Sequence, residues 1–479
     1  MGDLLPIAAM TVVLLVLMVV YRPLWVAILF GLTQPLGLID LPGGLQVIIA
    51  TSIVLVGVAV VDRLQRGLLP FPRTLASFAA VIWTLGIIIS VVMAPNLFKT
   101  ATLGSWQIVS AFVAIAIAEL AGRPAALRKV LNAWLIGATL VALSGAVLST
   151  GGLEASYGGA VVSNRPVGVF SQPNEYGLYC MVVVVFALGL TFATRGSVRW
   201  LSAFAALASG VGLLLSLSRG AWLGAVAGVI FLAMLLPQTR RPFLAGAALL
   251  FVGGAAASLL PFEIPVVSVI ITRALTIGDA GSNPYDERPS FRAEGLREWQ
   301  EKPIFGQGPN TFPELSAGIN SVARPNGAEH PHNFFIAVGA EQGIIGVLAV
   351  LLFALAVFIA ARAARPEVVL ANREARAAPG LRPRPLPPLA AATVMAATAV
   401  LGAFMVEGFA DYPMRNPLSR TPVWVMVGFA LAGQRVLESA RRERRVELAT
   451  GDGSPGRAAE VSDAPGRVDS GRSSFGLPG

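Results

Sequence analysis

Residues 329–361 read EHPHNFFIAVGAEQGIIGVLAVLLFALAVFIAA, and their reading decides the fold class. From Asn333 to Ala361 the only charge is Glu341, and the run exceeds the roughly 20 residues that an apolar helix needs to cross a bilayer. Both histidines of this 479-residue chain, His330 and His332, stand just ahead of it. Imidazole is the side chain best suited to moving protons near neutral pH. Its confinement to a membrane-water boundary points to chemistry at that boundary.

Similar apolar runs recur along the whole chain. Hydrophobic residues make up 55% and charged residues 13%, with a mean hydropathy of +0.70, whereas soluble domains carry roughly 25% charged residues. Backbone in lipid must satisfy its own hydrogen bonds, so the spans are expected as helices. The runs lie near 4–20, 24–38, 44–61, 74–93, 101–121, 129–149, 175–193, 200–217, 221–236, 242–260, 333–361, 389–409 and 421–437. Pro35 and Pro42 interrupt the second and third. The first lacks the basic start and Ala-x-Ala-like end of a signal peptide and is expected to be retained. The sequence therefore predicts an all-α polytopic membrane protein with about 12–13 transmembrane helices. One membrane domain covers 1–437 and contains a long helical loop over 261–332. A tail over 438–479, rich in Gly, Ser, Pro, Ala and alternating charges, is expected to be disordered. The single cysteine, Cys180, excludes an internal disulfide.

Arginines set the expected orientation. Arg63, Arg66 and Arg73, then Arg123, Arg128 and Lys129, then Arg195 and Arg199, then Arg240 and Arg241 fall in alternate short loops, which marks those loops as cytoplasmic. The arginine-rich segment 362–388 and the tail from Arg435 belong to the same side. The net charge of +9 and the pI near 10.4 then read as topology and as contact with anionic membrane lipids. With no nucleic-acid-binding motif present, nucleic acid is not expected as a partner.

Four segments remain for the outer side. The first, Asn164-Arg165-Pro166 through Pro173-Asn174-Glu175, runs into a helix; Asn174 there is either a helix cap or an anion contact at a helix start. The second, Ser218-Arg219-Gly220, puts an arginine between two apolar helices, where its donor fork suits phosphate oxygens or its stem snorkels to the interface. The third is the loop 261–332. Arg292, Glu294, Arg297, Glu298 and Trp299 read there as an amphipathic helix with a solvated Arg-Glu face, and Arg288 precedes it. Gly306-x-Gly308, without a strand-turn-helix unit around it, is weak evidence for phosphate binding. The fourth is the histidine segment. A helix starting near Asn333 would set His332 at its positive end, which disfavours imidazolium and leaves a ring able to accept a proton. The two histidines with Glu329 fall short of a metal site, which needs three or four ligands and a defined second shell. No metal and no cofactor are expected.

Together these segments resemble the O-antigen ligase and O-antigen polymerase superfamily of bacterial membrane glycosyltransferases. The resemblance rests on Gly168-x-Phe170-x-x-Pro173-Asn174-x-x-Gly177, on Ser218-Arg219-Gly220, and on Arg292 ahead of Trp299 and Gly306-x-Gly308. His332-Asn333 followed by Glu341-x-Gly343-x-x-Gly346 adds the most. It spans roughly residues 160–420. It implies a GT-C-like membrane enzyme of the inner (cytoplasmic) membrane with a periplasmic active site. Its donor would be an undecaprenyl-diphosphate-linked glycan, and its acceptor a glycan, lipid A-core or protein hydroxyl. His332 would be the essential histidine, and Arg219, Arg292, Arg165 and Arg288 would bind the diphosphate. His330, Asn174, Asn333 and Glu341 would contact substrate or support the site. Where the family often has a histidine in the later segment Glu407–Arg415, this chain has Glu407.

The chemistry of the residues agrees with that implication. Transfer from a diphosphate-linked sugar requires a base for the acceptor hydroxyl and cations for the departing diphosphate. A metal-independent, inverting displacement follows from this set. A membrane transporter or channel for an anionic or lipid-linked substrate is the alternative, and it predicts an internal repeat and polar residues near the bilayer midplane. The unusual polar residues lie instead at one face.

Overall fold

The computed structural model describes residues 22–41, 45–148, 155–157, 160–162, 165–258, 270–271, 275, 288–316, 330–377, 386–412, 414 and 416–450. The expected span at 4–20, Asn164, Glu329 and the end of the tail from 451 lie outside them. Helices dominate: α1 Pro23–Leu32, α2 Val47–Gln65, α3 Leu75–Val92, α4 Leu97–Leu120, α5 Pro124–Leu148, α6 Pro173–Ala193, α7 Gly196–Leu215, α8 Arg219–Leu235 and α9 Arg240–Ser258. After the long loop come α10 Arg288–Glu301, the single turn α11 Phe312–Leu315, α12 Phe334–Ala377, α13 Leu389–Glu407 and α14 Pro417–Thr450. A two-stranded antiparallel hairpin, β1 Ala155–Tyr157 and β2 Ala160–Val162, interrupts the expected all-α pattern in the loop before α6.

The chain is a polytopic membrane protein. Among the described residues eight helices are long and apolar enough to cross a membrane: α2 to α7, α12 and α13. The bent pair α8–α9 raises this to nine if it forms one span, although the chain bends by 119° between its two arms. The sequence expects 12–13; the span at 4–20 lies outside the described residues, and the rest of the difference has local reasons. The run 24–38 folds as the ten-residue α1, about 15 Å long at 1.5 Å per residue, and passes into a 3-10 turn at Gln34–Leu36 where Pro35 intervenes. The run 421–437 is helical within α14, but Arg420 and two prolines in its first turns lower its hydropathy.

The bundle's centre is α6, the most buried of the eight candidate spans at 83%. It packs on α7, α8 and α13. Gly220, Gly224 and Gly228 repeat every fourth residue on α8 and let it approach α6 and α13 closely: a Cβ on Gly228 would lie 2.6 Å from Val185 and 3.0 Å from Ala403. Small residues at this spacing drive helix association in lipid, where no hydrophobic effect separates helix from tail. Gly228→Leu is expected to lower stability by roughly 1–3 kcal/mol through overpacking, read as a reduced thermal midpoint of the detergent-solubilised protein.

The loops expected to be cytoplasmic gather at one end of the bundle. There Glu119 at the end of α4 pairs with Arg63 of α2 at 2.8 Å and with Arg435 of α14 at 2.5 Å, tying three helices together. The histidines lie at the other end. Contacts divide the chain into Met1–Leu437 and Glu438–Gly479. Within the second unit α14 stays helical to Thr450, where the sequence predicts a disordered tail from 438. Glu438 followed by Arg441 and Arg442 at helical spacing favours that continuation.

α12 also runs past its expected end at 361 to Ala377, and it is broken early, at Gly343, whose φ is 63°. The break is filled by the stretch after α10. Gln307 and Gly308 donate their amides to Ala340 and Glu341 carbonyls at 2.7 and 2.9 Å, and the Ile344 amide donates to the Pro303 carbonyl at 2.9 Å. Glu341-x-Gly343 and Gly306-x-Gly308 are thus two halves of one joint. Gly306 and Gly308 hold φ values of 72° and 112°, which favour glycine, and their role is to let the loop backbone meet the helix break.

Candidate active site

Asn333 caps α12. Its side-chain oxygen accepts from the Phe335 and Ile336 amides, each at 3.0 Å, and its Nδ2 donates to the Phe409 carbonyl at 3.3 Å. The Phe334 amide donates to the Gly408 carbonyl at 2.7 Å. The start of α12 is thereby stitched to the turn leaving α13. This brings Asp411 under the histidines.

His332 sits in a left-handed conformation with φ of 51°, of a kind that costs on the order of 1–3 kcal/mol in a non-glycine residue. That turn aims its ring at Asp411: Nδ1 lies 2.8 Å from Oδ1. A carboxylate only accepts, so Nδ1 carries a proton, and in the neutral imidazole Nε2 then keeps its lone pair. Among the described residues Nε2 has no hydrogen-bond partner in the protein, and the side chain is 12% exposed. His330 supports the turn by accepting the His332 amide on Nδ1 at 3.2 Å, and its ring packs against Tyr412.

Asp411 is the hub. Its Oδ1 also accepts the Tyr412 amide at 2.9 Å, and its Oδ2 accepts from Asn174 Nδ2 at 2.7 Å. Burial by itself would raise the carboxyl, but the His332 hydrogen bond and the charges of His332, His330 and Arg288 outweigh it. The group is held well below the usual carboxylate range. Asn174 in turn accepts from Arg165 Nη2 at 3.0 Å, and Arg165 Nε donates to the Ser216 carbonyl at 2.7 Å. A line of hydrogen bonds therefore runs Arg165, Asn174, Asp411, His332. Asn174 does not cap its helix: α6 begins at Pro173 with Gln172 as N-cap, because proline prefers the first helical position and moves the cap one residue back.

The other arginines converge on the same turn. From α10, Arg292 reaches the His332 carbonyl with Nε and Nη2 at 3.4 and 3.3 Å, and its Nη2 also meets the Phe409 and Ala410 carbonyls, both at 3.4 Å. Arg288 is within electrostatic reach of Asp411 and Glu407. Arg219 is the first residue of α8, and a Cβ on neighbouring Gly220 would lie 3.2 Å from Ala410. The structure thus brings Arg165, Arg288, Arg292, Asn174, His330 and His332 together, with Arg219 at the start of the neighbouring α8. Glu341 stands apart at the α12 break, accepting from Gln107 at 3.4 Å. Arg297 keeps to a solvated face with Glu294 and Glu301.

Nitrogen or oxygen atoms of His330, His332 and Asp411 lie within 4.8 Å of one another and could hold a metal ion. The fit is poor. His332 Nδ1, Asp411 Oδ1 and His330 Nδ1 are already engaged in hydrogen bonds, so an ion held through those atoms would have to displace both bonds. Sequence reasoning does not single out Asp411, although it is the only carboxylate between 410 and 420, a stretch expected on the same side as the histidines.

α10 carries a second unusual group. Glu298 is 1% exposed, with neither carboxyl oxygen hydrogen-bonded. Burial, with Glu294 and Glu341 adding to it and Arg297 opposing, pushes it up to about 8. An unfolded glutamate titrates near 4.3, so between these values the folded state holds the extra proton. Stability is then greatest at low pH and falls, by up to about 1.4 kcal/mol per pH unit, as pH rises towards 8. Glu298→Gln is expected to remove that slope, seen as a thermal midpoint that diverges upward from the parent between pH 5 and 8.

No curated protein matches the chain. Residues 203–351 match the family model described as O-antigen ligase, a stretch that includes Arg219, Arg288, Arg292, His330 and His332 and stops short of Asp411. That match, over less than a third of the chain, and the helical membrane architecture around it support a place in the O-antigen ligase and polymerase superfamily.

Proposed function

We propose that this protein transfers a glycan from undecaprenyl diphosphate to an acceptor hydroxyl on the periplasmic face of the bacterial inner membrane, with His332 as base. The observation that carries the reading is the 2.8 Å His332–Asp411 contact, which in the neutral imidazole leaves Nε2 free to take a proton. The acceptor hydroxyl gives its proton to His332 Nε2 as its oxygen forms a bond to the anomeric carbon. The bond from that carbon to the diphosphate oxygen breaks, and the electron pair leaves with the diphosphate. Arg219, Arg288 and Arg292 hold the growing negative charge. Arg165, committed to Ser216 and Asn174, acts through Asp411 as a positioning residue.

Attack from the face opposite the diphosphate inverts the anomeric centre. No metal is required, because guanidinium groups stand where a divalent ion would otherwise neutralise the leaving group. A reconstituted assay with undecaprenyl-diphosphate glycan and glycan, lipid A-core or protein acceptors tests this. Activity should persist in EDTA. Loss of activity on chelation, restored by a divalent ion, would sink the metal-independent mechanism and put the ion on the His330, His332 and Asp411 set.

A further inference from the structure

A cavity separate from the histidine site lies between α3, α4, α12, α13 and α14. Its empty space, open mouth included, is about 650 Å3. Its wall is aromatic and aliphatic, with Trp83, Phe353, Phe404 and Trp424 prominent, and its polar side chains are Gln107, Tyr412 and Arg420. None of Arg165, Arg219, Arg288, Arg292, His332 or Asp411 lines it.

Arg420 is the anomaly. It is 6% exposed, and its Nε and Nη2 have no hydrogen-bond partner. Trp424 Nε1, in the same wall, is also unpartnered. Glu341 and Tyr412 lie within electrostatic reach of Arg420 without satisfying these atoms. A buried guanidinium edge left unpaired is costly. Every unsatisfied atom lining the cavity is a donor, so the missing partner is an acceptor. The Nε–Nη2 edge matches two oxygens of one phosphate group.

The cavity also borders apolar surface that faces out of the bundle. Leu351 and Leu355 of α12 are 55% and 45% exposed, next to the lining residues Val350 and Ala354, and Val406 of α13 is 38% exposed next to Met405. A helix surface of this kind lies against hydrocarbon. The trough therefore takes a chain from the bilayer, and its one charged group takes the phosphate at the head of that chain.

We infer that this cavity binds an anionic glycerophospholipid, one acyl chain in the aromatic trough and the phosphodiester on Arg420 and Trp424. Because Tyr412 lines the cavity and also packs on His330 and bonds Asp411 through its amide, the lipid buttresses the turn that carries the catalytic aspartate.

The test uses the full-length protein in detergent, with native mass spectrometry and thermal shift as readouts. Phosphatidylglycerol should bind at least about tenfold more tightly than a diacylglycerol with the same chains, the factor expected of one charge-assisted contact worth about 1.5 kcal/mol. Arg420→Met should abolish that preference and leave the lipid-free thermal midpoint unchanged or higher, because it removes a buried charge. Ala354→Trp, which fills the trough and spares Arg420, should lose binding of the phospholipid, and it decides the matter alone if Arg420→Met does not fold. Retained phosphatidylglycerol preference in Arg420→Met, or retained binding in Ala354→Trp, overturns the inference. So does tighter, Arg420-dependent binding of undecaprenyl phosphate, which would make the trough a site for substrate lipid.

Discussion

His332→Ala is expected to reduce glycan transfer by about 10³-fold, with donor binding nearly unchanged. A positioned general base contributes roughly 10²- to 10⁴-fold, and no other described group at this turn is placed to replace it. His330 Nδ1 is occupied by the His332 amide, and Asp411 is held ionised but spent on His332, Tyr412 and Asn174. The loss should fall on kcat, since the arginines proposed to hold the diphosphate are untouched. Single-turnover assays with a labelled donor, alongside a binding measurement, separate the two. Full transfer by the variant would remove His332 as the base. The thermal midpoint is the control, because alanine must adopt the same left-handed backbone as His332.

The second large effect is expected at Asp411. Asparagine is nearly isosteric and can still accept the Tyr412 amide on its oxygen. It then presents an NH2 group to His332 Nδ1, which favours the tautomer with the proton on Nε2, where no proton can be taken from an acceptor. A swap of this kind in a His–carboxylate pair costs on the order of 10³- to 10⁴-fold in kcat. Asp411→Asn should show that loss with KM and thermal midpoint close to the parent. A merely structural role would instead lower the midpoint and leave kcat per folded molecule intact. Asn174→Ala, one bond further back, should cost less, because it loosens Asp411 without changing its charge.

Several site residues were legible because their type was out of place. Two histidines at a membrane edge and arginines on the side where topology disfavours them stand out in any reading of the chain. Residues whose type is ordinary were misread. Asn174 has the look of a helix cap but lies inside the first turn, and its amide bridges Arg165 and Asp411. Gly306-x-Gly308 is only weak evidence for phosphate binding by its sequence, and the Gln307 and Gly308 amides close the break in α12 instead. Arg165 counts as one more phosphate ligand by its location, but the neighbouring Ser216 carbonyl and Asn174 claim its Nε and Nη2. In each case the deciding partner lies on another helix.

Composition and the recurrence of apolar runs were enough to make this a helical membrane protein, because lipid imposes its demand on each segment separately: every backbone amide must find its partner within its own helix. How many of those runs span was less secure, since a proline or a bend is felt only when the helix forms, as α1 and the α8–α9 pair illustrate. The histidines, too, could be picked out one residue at a time. Their pairing with Asp411 could not, for His332 and Asp411 are 79 residues apart and meet because the Phe334 amide and Asn333 side chain bind the turn that ends α13. That contact, and the unpaired Arg420 beside it in the bundle, are products of packing between helices, where distance along the chain carries no information about distance in space.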